Sequence, residues 1–219
     1  MIGNLLVMLL PWLVKKQVLR AFYGYEIGAD CFIGLSYVFP EQLIMKDKAK
    51  IGHLTLCKGL RLVEMGARSE IGRFNWITGY PHKSGAHFTH VQDRQPDLIL
   101  GQDAAITQRH MIDCTDKVTI GKFATIGGYY SQILTHSIDF GENRQTCSPV
   151  VIGAYTFVGT NCVILKGSRL PDHSLLPAKS LLNQYFPEEW RMYGGVPAKK
   201  LTEIDTEQKY FTRANGFVH

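Results

Sequence analysis

The sequence has no Cys-x-x-Cys pair, no run of four basic residues and no Gly-X-Y period. It also lacks the apolar stretch of about 20 residues that a membrane span needs. Each absence excludes a class. Five cysteines, an odd number without paired spacing, argue against a disulfide framework and a zinc knuckle, so a reducing, cytoplasmic setting is expected. Lys and Arg total 24 against 19 Asp and Glu, a net charge of +5. Scattered as they are, they form no stripe for nucleic acid, but the balance suits an anionic small ligand. Charged residues are only 20% of the 219 and hydrophobic ones 45%, which rules out a disordered chain. That length allows one substantial domain or two small ones.

Residues 2–14 are largely apolar, but Asn4 and Pro11 interrupt them and Lys15-Lys16 follow. A secretory leader would carry its positive charge before the apolar part, not after it. A helix is the expected form. Pro11 suits its first position, Val14, Val18 and Phe22 recur at fours, and Gly24 is placed to end it. This helical segment, 1–24, either caps the first layer of the domain or makes a shallow membrane contact. In the second case Trp12, Lys15, Lys16 and Arg20 would lie at the interface, and the protein would sit peripheral to the inner face of the membrane.

What the sequence has in quantity is a repeat of six. Aliphatic residues fall at Ile152, Val158, Ile164, Leu170, Leu176 and Leu182, often followed by Gly (Gly153, Gly159). The fourth position after each of the first five is small: Thr156, Cys162, Ser168, Ser174, Ser180. The frame also starts at residues 27, 33, 45, 51, 57, 65, 71, 100, 106, 112 and 120. An α-helix does not keep six in phase with 3.6 residues per turn, and six residues cannot hold a strand, a helix and a return. They do fit one side of a three-sided coil: a short strand, then a corner. The aliphatic residue fills the interior, the small one fits the narrowing corner, and Gly is expected to ease the backbone turn. Stacked coils then pair their strands in parallel.

The pattern resembles the hexapeptide-repeat acyltransferases over about residues 25 to 202. The closest look is to sugar O-acetyltransferases of the colanic acid and maltose acetyltransferase type. Two segments carry that likeness, Ile133-Leu134-Thr135-His136-Ser137-Ile138-Asp139 and Tyr193-Gly194-Gly195-Val196-Pro197-Ala198-Lys199-Lys200-Leu201. The resemblance implies an all-β fold, a left-handed parallel β-helix over 25–185, with loops inserted at 79–98 and 128–149. A helical tail is expected over 186–219. It further implies a homotrimer with acetyl-CoA lying in the groove between subunits, no metal, and a carbohydrate acceptor in surface polysaccharide or glycolipid assembly.

The resemblance also assigns residues. His136, in the Thr-His segment, matches the general base, because a sugar hydroxyl needs an acceptor for its proton as it attacks a thioester. Asp139 is the expected orienting partner of its ring. Thr160, Ala178 and Ser180 match positions where the coenzyme's arm approaches, with Lys179 standing where the family has Gly. Lys166 and Lys199 are candidates for its phosphates, or else solvated lysines on a coil edge. For the acceptor, Asn75, Trp76 and Tyr80 offer aromatic faces and an amide to a sugar. His110 is too large for its corner and follows Arg109, so the pair either contacts a ligand or His110 is a hydrogen-bonded structural residue. Loop 79–98 carries His82, Lys83, His87, His90 and Arg94 without stringent spacing. Two other classes stay open. One is a metal-dependent lyase like the γ-type carbonic anhydrases, for which His82 and His87 have the right spacing but Lys46 stands where the third ligand should be. The other is a non-catalytic β-helical assembly subunit.

Overall fold

The computed structural model describes residues 2–81, 87–216 and 218. Its strands fall on three sides of a solenoid of seven coils, and each side is a parallel sheet. Face A runs from Glu26–Ile27 to Arg169–Leu170, face B starts at Phe32–Ile33, and face C runs from Tyr37–Phe39 to Leu181–Leu182. The aliphatic hexad positions stack inside: Ile33, Ile51, Ile71, Ile106, Ile126, Val158 and Leu176 on face B are all buried. Successive coils pair in register, as Ile71 with Ile106 and Ile106 with Ile126. Among the described residues, loops leave the solenoid only where face C turns into face A.

The corners are built differently from the expectation. The left-handed backbone conformation falls not on the glycine after the aliphatic residue but two positions later. Asp30, Lys48, Arg68, Asp103, Phe123, Tyr155 and His173 adopt it at the A–B corner, and Leu54, Phe74, Arg109, Tyr130, Asn161 and Lys179 at the B–C corner. Side-chain-bearing residues pay about 1–2 kcal/mol for this. All but Asp30, in the first coil, are held by a backbone bond to the coil before, such as Arg68 N to Asp47 O (2.9 Å) and Arg109 N to Arg73 O (3.1 Å). The glycine serves close approach instead. A Cβ on Gly72 would lie 1.9 Å from the Thr107 carbonyl oxygen of the next coil. Gly72→Ala should therefore lower stability by about 1–3 kcal/mol, read as a fall in Tm. Gly3→Ala, on a helix with nothing within 4 Å of its new methyl, should not.

The small corner residues of the B–C edge form a continuous polar ladder. Ser36 Oγ donates to Gly52 O and accepts from Thr55 N, and Thr55 Oγ1 donates to Gly72 O and accepts from Asn75 N. Asn75 donates to Thr107 O and accepts from His110 N. His110 Nδ1 accepts from Ser131 N, and Ser131 Oγ accepts in turn from Cys162 N. Buried polar atoms are thus satisfied from coil to coil.

Two helices close the first coil. α1 (Ile2–Leu9) packs on Tyr37–Phe39, and α2 (Trp12–Tyr23) packs on Glu26–Ile27. α2 ends at Gly24 in the left-handed conformation, and Pro11 is its N-cap rather than its first residue. The far end corrects the expected helical tail. Residues 191–203 form an antiparallel hairpin, Arg191–Gly195 with Ala198–Glu203, that extends face B through Leu175 and Met192. Gly194-Gly195-Val196-Pro197 is turn chemistry and does not continue a helix. Among the described residues there, only α3 (Lys209–Thr212) is helical. The chain then returns along the solenoid, with Tyr210 Oη donating to Thr156 O (3.1 Å) and Arg213 stacked over Tyr210.

Candidate active site

The hexad frame is interrupted after Ile126 by one inserted residue. Gly128 takes a positive φ of 66°, and Thr160 of the next coil lies where its Cβ would be. Ile133 then returns to the interior, so Gln132–Leu134 is a regular face C strand and the expected break at 128 is a corner. What leaves the solenoid is a hairpin, His136–Asp139 paired with Arg144–Cys147.

His136 stands at the root of that hairpin, directly over Asp113 of the preceding coil. Its Nδ1 lies 2.7 Å from Asp113 Oδ2. Nδ1–H donates to the carboxylate, which leaves the Nε2 lone pair free. The Asp113 carboxylate is locked. Oδ1 accepts from the backbone and hydroxyl of Thr115 (3.1 and 2.6 Å), and Oδ2 from Thr135 N (2.9 Å). Burial works against its charge, but the bonds from His136, Thr115 and Thr135 hold its pKa below the usual carboxylate range. The bond to Asp113 in turn raises the His136 pKa above 6.5, against partial burial and the Lys166 charge.

Asp139 does not orient this ring. Its Oδ1 accepts from Gly141 N and Glu142 N (3.0 and 3.1 Å) and closes the hairpin's own turn. Asp113 takes the orienting role, from 23 residues away in sequence. The signal for it was an outward carboxylate at the end of the face C strand one coil before the histidine.

The described part of loop 79–98 makes a wall beside the dyad. Phe88 meets the His136 ring edge-on at 6.0 Å, and Tyr80 packs on both Phe88 and His87. Arg94, buried, fixes the loop by donating to the carbonyls of Tyr80 (2.6 Å), Pro81 (2.9 Å) and Thr115 (2.9 Å). Its guanidinium lies over the Phe88 ring. His82 and Lys83 lie outside the described residues, and no group of three metal-ligating side chains occurs among the described ones. Cys147 stands beside the site with its thiol pushed up to about 11, chiefly by burial, which is no nucleophile at neutral pH.

Two expected acceptor contacts belong to the interior. Asn75 and His110 are rungs of the B–C ladder, 1% exposed each. His110 Nε2 donates to Thr107 Oγ1 (2.9 Å), and burial lowers its pKa to about 4. The corner admits an imidazole because both ring nitrogens find partners there. Arg109 is exposed beside it, over the Phe74 ring and donating to Tyr130 Oη (3.3 Å). Trp76 is exposed on face C, two residues before Thr78, the register partner of Asp113.

No family model and no curated protein matches the sequence. Solved structures do. AntD, an N-acyltransferase from Bacillus cereus, in complex with dTDP-4-amino-4,6-dideoxyglucose and coenzyme A, superposes over 88% of this chain and 90% of that one, with a TM-score of 0.58 at 13% identity. AntD in complex with dTDP and 3-hydroxybutyryl-CoA gives 0.52 at 11% identity over 87% and 88%. A hexapeptide-repeat-containing acetyltransferase from Vibrio cholerae gives 0.48 at 18% identity over 92% and 86%. The chain has the fold of the hexapeptide-repeat acyltransferases, a left-handed β-helix.

On that acyltransferase fold the coenzyme candidates divide between two corners. Thr160, Ala178, Lys179 and Ser180 lie at the B–C corner. Thr160 Oγ1 is tied to Tyr129 N and O (3.0 and 2.9 Å), and Ser180 is buried and accepts from Gly195 N (3.3 Å). Ala178, Lys179 and Lys199, the last on the terminal hairpin, are exposed. Lys166 is at the C–A corner with His136 and donates to the Thr146 hydroxyl of the hairpin. Within one chain, face C separates the first group from the dyad. A cavity of about 510 Å³ lies at the A–B corner, lined by Asp30, Lys48, Arg68 and Asp103, away from both.

Proposed function

We propose that this protein is an acetyltransferase that moves an acetyl group from acetyl-CoA to a sugar hydroxyl, working as a homotrimer. The observation that carries the reading is the His136–Asp113 dyad on a coil corner of this fold. His136 Nε2 takes the hydroxyl proton as the oxygen bonds to the thioester carbonyl carbon. The C–S bond then breaks, and the imidazolium returns its proton to the leaving thiolate. Asp113 fixes the tautomer and steadies the positive ring between those two transfers. The fold's likeness to AntD, whose complexes hold coenzyme A and a dTDP-sugar, supports the choice of donor and acceptor class.

The split between corners supports the trimer. A neighbour's B–C corner, with Lys179, would face the C–A corner that holds His136 and Lys166, so coenzyme and base meet across a boundary. The dyad has one wall of its own, and His136 keeps 41% of its side chain exposed. Trp76 and Met111, register partners exposed on face C, supply apolar surface next to it.

The test is thiol release from acetyl-CoA against a panel of free, nucleotide-linked and lipid-linked sugars that carry hydroxyl or amino groups. Release should depend on a sugar bearing a free hydroxyl, and the protein should sediment as a trimer at micromolar concentration. Release with none of the panel, or only with amino sugars, would overturn the O-acetyl assignment. A monomer would overturn the shared site.

A further inference from the structure

The two N-terminal helices wear their polarity inside out. α1 and α2 turn Leu5, Leu6, Leu9, Leu13, Val14 and Phe22 to solvent, with Phe22 82% and Leu13 76% exposed. Asn4, Lys15 and Lys16 face the solenoid. Lys15, only 4% exposed, donates to Gly34 O (2.9 Å), and Lys16 donates to Gly28 O (2.8 Å). These carbonyls belong to the first coil, which has no coil beneath to pair with. Asn4 is bracketed by the Tyr37 and Tyr23 hydroxyls. The lysines expected at a membrane interface thus seal the end of the β-helix.

The position of the helices decides where the leucines point. α1 rests on the first strand of face C, α2 on the first strand of face A, and Trp12 meets Phe32 of the first face B strand edge-on. The pair lies across the open end, so its outer side is the tip of the solenoid. The helices themselves carry Lys15, Lys16 and Arg20 and no Asp or Glu; with both lysines turned inward, Arg20 is the exposed cation, beside Glu26 of the first coil. An apolar patch with an arginine at its edge is the form of a surface that rests in a lipid interface.

We propose that this tip docks the protein on an anionic phospholipid surface, with the leucines in the acyl boundary and Arg20 among the headgroups. No helix among the described residues is long and apolar enough to cross a membrane, so the contact is in-plane. The proposal rests on the trimer above in one respect. Subunits that meet along their faces leave three tips on the same side, where a plane can touch all three at once and affinities multiply.

Sedimentation of the full chain with vesicles tests it. Vesicles of phosphatidylcholine with phosphatidylglycerol should bind the protein, and phosphatidylcholine alone should bind it more weakly. Leu6→Asp with Leu9→Asp should lower the bound fraction at least about tenfold. Arg20→Gln should lower it about fivefold on the mixed vesicles only, the worth of one basic residue near an anionic surface. All three positions are exposed, so Tm should hold. No binding to either vesicle, or wild-type binding by the paired Asp variant, would overturn the proposal. So would a lower sedimentation mass of that variant without vesicles, which would show the patch covered by another copy. Acetyl transfer to a soluble sugar is measured separately and would fail independently.

Discussion

Replacing His136 with alanine should lower the rate of acetyl transfer by roughly 10²–10⁴, the usual worth of a positioned base. The coils stay intact, because His136 fills no interior position and its side chain is 41% exposed. Coenzyme A binding, read by thermal shift, is retained. Asp113→Asn separates positioning from simple folding. Asp113 raises the His136 pKa above 6.5, and a base must be neutral to act, so the wild-type rate falls on the acid side at a pH above 6.5. With Asn at 113 that acid limb moves to lower pH while the maximal rate drops. Loss of rate with an unmoved limb would assign Asp113 a structural role only. A folded His136→Ala that binds coenzyme A and transfers at the wild-type rate would remove His136 from the chemistry altogether.

Acid weakens this fold through His110, not through the dyad. In the folded state its pKa is lowered to about 4, whereas an unfolded chain titrates near 6.5. Between those values the unfolded state holds the extra proton, so stability falls as pH falls through that window. One such proton is worth a few kcal/mol, about 3 at most. His136 has the opposite sign. Its raised value gives stability that is complete below 6.5 and is lost as pH rises through the folded value. Asp113, held low, loses its contribution only below the ordinary value of 3.8. Urea unfolding across pH 4 to 7 should therefore show an acid slope that His110→Asn flattens, since Asn75 already makes both rung contacts one coil earlier. An unchanged slope in that variant would place the acid sensitivity elsewhere.

The solenoid was legible because its signal is local. A residue buried every six positions needs no knowledge of partners, and Ile106, Ile126 and Val158 follow from spacing alone. Two departures share one cause, that three-dimensional neighbours here are a coil apart. Asp113 and His136 touch across a coil, and no sequence window joins them as a pair. His110 looked like a departure until Asn75 below and Ser131 above showed what an imidazole does in that corner. One inserted glycine, Gly128, shifted the frame enough to disguise the regular strand at Gln132–Leu134. At the terminal hairpin the local signal, Gly194-Gly195 and Pro197, is one of turn rather than helix. Handedness came only with the resemblance, because six-residue spacing is the same in either hand.

The ladder along the B–C corner gives the solenoid a grammar of its own. From Ser36 to Ser131 each side chain receives the amide hydrogen of the next coil's corner residue and gives a proton away, the hydroxyls and the amide to a carbonyl of that next coil and the His110 ring N–H to Thr107 Oγ1 of its own. Each rung takes one hydrogen bond and gives another, so the two bonds at a rung polarise one another. A rung must be able both to give and to take, and valine, equal in size to threonine, can do neither. Coils can therefore be duplicated or deleted in evolution, or by design, only as whole sentences that bring a bilingual corner residue with them. A spliced coil with an aliphatic residue there would leave an amide and a carbonyl of the next coil stranded together, and the fault would open at that seam.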